Sequence, residues 1–312
     1  MVCCIDNLYK AVSDKGHVCI GLDTCIDYIP QAERKKASCD AEAVLAFNKA
    51  LIDATCDIAA CFKVQIAYYE EMGIAGLSAY CETLKYIRQK GCLVIADIKR
   101  GDIADTAVRY AKAHYSGDFE ADFVTINPYM GIDSVEPWLE QAKQSGKGAF
   151  VLMRTSNKGM KDFQFLLLRD SGQKTENNEQ GNDSYEKKRL YQIVGDKLTS
   201  LAKRYPCRCG YGMFGAVIGC TERDEAAQIR KNYPDLFFLI PGFGAQGGGA
   251  KDAALLLRSG NGGIVNASRS IITAWQSSSD SENTDIDNMF AANAARNAAV
   301  KMRDGILKEI TP

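Results

Sequence analysis

VIADIKRGDIADTA, Val94 to Ala107, begins as an apolar run that reads as a buried strand and then carries Asp97, Lys99 and Asp102. Isolated buried charges are costly, so they are rare unless paired or used. Where that strand sits in the fold therefore decides what the charges are for. Outward from it, seven more short apolar runs recur: HVCIGLD, IAACFKVQ, FVTIN, GAFVLMR, MFGAVIGC, LFFLIPG and GIVNAS. Segments of helical composition separate them. Runs this apolar suit strands buried on both faces, and eight in strict alternation with helices favour closure, so the predicted fold is an α/β, eight-stranded parallel (β/α) TIM barrel. An open doubly wound sheet is the second choice.

The 312 residues are read as one domain spanning 1–312. Barrels commonly exceed the usual domain size, so the length is no obstacle. Boundary signals support the parse: Asp40 stands at a capping position, Thr221 precedes acids, and Pro234 stops the following helix. Two polar insertions interrupt the pattern, near 170–184 after the fifth strand and near 276–285 after the eighth. They read as surface insertions rather than linkers, because alternation resumes after the first and a helical tail follows the second.

Lys and Arg number 38 against 39 Asp and Glu, a balance that gives no electrostatic footprint for nucleic acid or an anionic membrane. The start lacks the pattern of a signal peptide, and the longest apolar windows are too short and broken to span a bilayer. A cytoplasmic setting is expected. Of the 12 cysteines, Cys19, Cys61, Cys92 and Cys220 sit inside apolar runs and read as buried free thiols. There is no C-x-x-C, and Cys207 with Cys209, His17 and His114 offers little to a zinc ion, so no metal is expected.

Residues two apart on a strand share a face, so Asp97 and Lys99 are predicted to point together into the barrel at the carboxyl end of the strand. Barrel enzymes place their catalytic groups there. Asp102 falls in the following loop or first helical turn, where it can cap a helix and still face the mouth. Carboxylates on either side favour the charged form of a lysine, which makes Lys99 an acid rather than a Schiff-base nucleophile. Lys63, at the end of the preceding strand, adds a second cation. A buried ion pair with a helix cap, and a lysine snorkelling at a strand end, are the purely structural alternatives.

The glycine-rich IPGFGAQGGGAKDAALLL follows the seventh strand and opens a helix, a setting in which backbone N–H groups can approach an anion. Arg269 arrives beside it at the end of the eighth strand, and barrels commonly hold a phosphate between these two loops. No acid lies where a dinucleotide site requires one. The expected substrate is a phosphorylated small molecule.

DIKRGDI has the form D-x-K-x-x-D-I and resembles the signature of the orotidine 5′-monophosphate decarboxylase family. GLD at 21–23, FKVQIAYYE at 62–70, NPYMG at 127–131, RTSNKG at 154–159, PGFGAQGG at 241–248 and NASRSI at 266–271 are similar to the family in the same order. The resemblance spans about residues 17 to 272. It implies a barrel homodimer with shared active sites that converts orotidine monophosphate to uridine monophosphate and carbon dioxide, the last step of pyrimidine synthesis, without a cofactor. By this resemblance Lys63, Asp97, Lys99 and Asp102 form an alternating charge array, with Lys99 as proton donor. It also implies that Asp102 and Thr106 reach the partner subunit's site, that Asp23 holds a ribose hydroxyl, and that Ser156 meets the pyrimidine. Gln246 and Arg269 would hold the phosphate.

The roughly forty residues after the barrel are too few for an orotate phosphoribosyltransferase domain, which leaves association with a separate phosphoribosyltransferase chain open. Two other readings compete. A sugar-phosphate decarboxylase or lyase of the same barrel superfamily would share the charged motif but use a metal and an enediolate, and gives no reason for RTSNKG and PGFGAQGG. A non-catalytic nucleotide-binding barrel would not need every charge of the array.

Overall fold

The computed structural model describes residues 3–174, 185–244, 247–258, 260–277 and 286–310. All eight predicted strands are present: β1 (Val18–Gly21), β2 (Cys61–Gln65), β3 (Leu93–Arg100), β4 (Phe123–Ile126), β5 (Gly148–Arg154), β8 (Phe214–Ile218), β9 (Phe237–Ile240) and β10 (Gly263–Ala267). They pair in parallel in that order, and β10 returns to β1 to close the barrel. Between β5 and β8, the strands β6 (Leu167–Lys174) and β7 (Tyr185–Arg189) form an antiparallel hairpin. The first polar insertion is therefore flanked by paired strands; residues 175–184 and 278–285 lie outside the described residues.

The pleat sorts the strand residues into two cores. Cys19, Cys61, Ile95, Phe123, Phe150, Val217, Phe237 and Ile264 fill the barrel interior, one from each strand. Their neighbours Phe62, Val94, Val124, Val151, Phe238 and Val265 face outward and pack with the helices. A fully buried apolar side chain of this size stabilises by about 1.5–3 kcal/mol, so both layers hold the strands in register.

The helix Cys4–Lys15 closes the base, burying Ile5, Leu8 and Val12 against the inner cluster. This crossing brings Cys3 to the loop before β8, where it forms a disulfide with Cys207, 204 residues away. The four cysteines read as buried free thiols, Cys19, Cys61, Cys92 and Cys220, are free and buried, whereas the pairing of Cys3 with Cys207 was not anticipated. Asp40 is not a cap. It opens the helix Asp40–Thr55, and Glu42 reaches back to the Ser38 N–H at 2.7 Å instead. The helix Arg223–Asn232 ends just before Pro234, as expected. None of the described helices is long and apolar enough to cross a membrane.

Candidate active site

Two residues beyond the apolar floor, the same inward positions carry Lys63, Asp97, Thr125, Leu152 and Asn266. All five line a cavity of about 630 Å³ at the carboxyl end of the strands. Change of side chain at constant parity thus turns a core into a site.

Asp97 is the hub. Its Oδ2 accepts from Lys63 Nζ at 2.9 Å and Gln65 Nε2 at 3.2 Å, and its Oδ1 accepts from Lys99 Nζ and Thr125 Oγ1, each at 2.7 Å. Lys63 also donates to Asp23 Oδ1 at 2.9 Å. The result is an alternating row, Asp23, Lys63, Asp97, Lys99. Burial alone would raise the Asp97 carboxyl, but the Lys63 and Lys99 ammonium groups outweigh it and hold the group well below the usual carboxylate range. Burial alone would lower Lys63, and Asp23 and Asp97 reverse it, holding that ammonium above its ordinary value. The ions are tolerable because each has a partner of opposite sign. Lys63 and Asp97 are only 6% and 7% exposed at the side chain, whereas Lys99 is 46% exposed, so Lys99 is the member of the row presented to a ligand.

Asp97 and Lys99 do face the cavity together, but not by simple alternation. Between Ala96, opposite Val124, and Arg100, opposite Ile126, three residues of β3 face the single Thr125 of β4. Lys99 takes φ +45° within this bulge, a left-handed conformation rare for a residue with a side chain. Asp102 does not line the cavity of its own chain. Its Oδ1 accepts the Ile103 N–H at 2.8 Å ahead of the helix Ala104–Tyr115, and Thr106 is exposed in that helix's first turn.

Ser156 lines the cavity from the loop after β5. The loop is held from beneath by Arg154, fully buried, whose guanidinium donates to the Gly219 and Glu222 carbonyls and faces Glu225 at 3.8 Å. A Cβ on Gly219 would come within 2.9 Å of the Ser156 Cα, so only glycine lets these loops meet.

After β9 and β10, Pro241, Gly242, Phe243 and Arg269 line the cavity. The N–H groups of Gly244, Gly247 and Gly248 are bonded within their own loop, and the helix that follows, Ala250–Ala254, is only five residues long. These glycines shape the turn; Gly244, at φ +74°, would press a Cβ to 2.9 Å from Ser270 Oγ. Arg269 stands where it was predicted, and Gln246 lies outside the described residues.

Residues 16–282 match the family described as orotidine 5′-phosphate decarboxylase / HUMPS. The chain belongs to that family. Orotidine 5′-phosphate decarboxylase of Clostridium tetani is 49% identical over 306 residues, 98% of each chain, and one from Clostridium perfringens is 50% identical over 305 residues, again 98% of each. The crystal structure of a putative orotidine-monophosphate decarboxylase from Toxoplasma gondii superposes with a TM-score of 0.74 at 28% identity, covering 98% of this chain and 97% of that one. The orotidine 5′-phosphate decarboxylase family is one of carboxy-lyases, and two members of the charged row, Asp97 and Lys99, stand in the D-x-K-x-x-D segment of this chain.

Several cavity residues escaped the sequence reading, among them Thr125, Gln65 and Tyr68. Thr125 looked like an ordinary strand residue, although its parity with Phe123 placed it inward. Gln65 and Tyr68 were quoted only as part of a motif. Among the described residues, metal-ligand side chains gather as a group of three only at Cys3, Asp6 and Cys207, away from the cavity, and two of these sulfurs are joined to each other.

Proposed function

We propose that this protein decarboxylates orotidine 5′-monophosphate to uridine 5′-monophosphate, with Lys99 as the proton donor. The observation that carries the reading is the Lys99 ammonium, half exposed to the cavity and fixed on Asp97 at 2.7 Å. In the reaction the bond between ring carbon and carboxylate breaks, carbon dioxide leaves, and the electron pair stays on a ring carbon with no resonance sink. A fixed ammonium beside that carbon stabilises the developing charge, then delivers its proton there. Solvent reprotonates the amine. The route asks nothing of a metal or an organic cofactor.

Asp23 and Lys63 are suited to the ribose hydroxyls, Ser156 to the pyrimidine, and Arg269 with Gln246 to the phosphate. Binding energy from the phosphate offsets the cost of assembling substrate against a charged row. We further infer a homodimer in which Asp102 and Thr106 complete the partner's site. Neither lines its own cavity, and Ile103, Tyr110, Tyr129 and Met130 expose large apolar side chains on the segments following β3 and β4. A cytoplasmic location fits this metabolic role, and binding of a separate orotate phosphoribosyltransferase chain is testable by co-purification.

The test is the ultraviolet absorbance change of orotidine monophosphate with chelator-treated protein. Rapid metal-free conversion is expected. Conversion that appears only on adding a divalent metal, or of a sugar phosphate instead, would overturn the assignment.

A further inference from the structure

The bulge in β3 leaves a specific problem. Ladder pairing resumes only at Arg100, so the Lys99 N–H has no strand carbonyl to meet, and buried backbone groups are rarely left unpaired. The Thr125 hydroxyl supplies the partner: the Lys99 N–H donates to Thr125 Oγ1 at 2.9 Å. The same hydroxyl then donates to Asp97 Oδ1 at 2.7 Å. One buried group, 1% exposed, thus bonds both the backbone of Lys99 and the carboxylate on which the Lys99 ammonium rests.

We propose that Thr125 is a positioning residue for the decarboxylation, holding Lys99 and Asp97 in the relative geometry that aims the ammonium into the cavity. The inference rests on the reading of Lys99 as proton donor. Threonine is not required here for packing. Phe123 beneath it and Leu152 and Val217 in the cavity wall are apolar, and a valine would fill the same shape without a buried hydroxyl to satisfy. The hydroxyl is retained where both its donor and its acceptor capacity are spent on the charged row. Asp97 Oδ1 serves two donors, Thr125 Oγ1 and Lys99 Nζ. The hydroxyl fixes the carboxylate plane, which restricts where the ammonium can bond. The backbone bond meanwhile keeps Lys99 in its left-handed conformation, without which its side chain would leave from a different direction.

Catalysis depends on placement finer than binding does, so the effect should fall on turnover. Thr125→Val is expected to lower kcat by about 10- to 100-fold, the scale of a hydrogen bond to a charged group, with KM for orotidine monophosphate within about 3-fold of the parent. Thr125→Ser keeps the hydroxyl and should hold kcat within about 3-fold. Parental kcat in Thr125→Val, or a loss in Thr125→Ser as large as in Thr125→Val, would overturn the proposal. Should Thr125→Val fail to fold, Thr125→Ala against Thr125→Ser makes the same comparison, and equal turnover in the two would overturn it. Lys99→Ala is measured alongside. Turnover retained there would overturn the proton-donor reading itself, a failure distinguishable from that of Thr125, whose variants are read against the parent enzyme.

Discussion

Lys63 Nζ donates to Asp97 Oδ2 at 2.9 Å, and both side chains are nearly buried in the wall of the cavity they line. Removing one partner of such a pair strands the other charge. Lys63→Ala would leave Asp23 and Asp97 without their shared cation, so a loss of about 3–5 kcal/mol in unfolding free energy is expected by urea denaturation. Replacing both members, as in Lys63→Met with Asp97→Leu, should cost less than the sum of the single changes. Strict additivity would show that the two charges are not coupled as the geometry indicates.

Arg269 lines the cavity just after β10, beside the glycine-rich turn. Arg269→Ala should weaken uridine monophosphate and leave uridine almost untouched. A charge-assisted contact to phosphate represents about 1.5–3 kcal/mol, hence roughly 10- to 150-fold in Kd by calorimetry. Equal weakening of nucleotide and nucleoside would place the phosphate elsewhere.

Asp102 tests the shared site. Asp102→Ala and Lys99→Ala should each be inactive alone, and mixing them should restore activity through hybrid dimers that carry one intact site. With random exchange, up to about one quarter of the parental activity is expected, because half the dimers are hybrids with one competent site of two. No recovery after demonstrated subunit exchange would confine Asp102 to its own chain.

The two buried histidines are expected to lower stability in mild acid. His17 and His114 are buried, and burial pushes both rings down to about 4, below the ordinary imidazole value. The unfolded chain takes up protons below about pH 6.5 while the native rings stay neutral, so stability falls as pH drops from there toward 4, by up to about 3 kcal/mol per ring. Asp97 acts in a lower window: its depressed folded value adds stability above the ordinary carboxylate range, and this is lost on further acidification. His114→Phe, whose ring can lie against Phe119 and Trp138, should flatten the slope between pH 6.5 and 4. An unchanged slope would remove His114 from the account.

Much of this architecture was legible because parallel strands buried on both faces leave unbroken apolar runs; FFLI of β9 and VCIG of β1 could hardly sit elsewhere. The charged row was legible for the opposite reason, since Asp97 and Lys63 interrupt such runs. What escaped depends on contacts between distant or locally irregular residues. The bulge that re-aims Lys99 comes from a left-handed φ that nothing in DIKRG announces, and Thr125 passes as a β-branched strand former. The Cys3–Cys207 bond joins residues that only the closed barrel and its basal helix bring together. The β6–β7 hairpin lies in a polar segment without the alternation that marks a half-buried strand.

The proton-donor role proposed for Lys99 is tested by comparing Lys99→Ala with the parent protein for turnover of orotidine monophosphate and for uridine monophosphate affinity. Turnover should fall by many orders of magnitude while the variant folds and still binds the nucleotide through the rest of the cavity. Near-parental turnover in a folded Lys99→Ala protein would contradict that role.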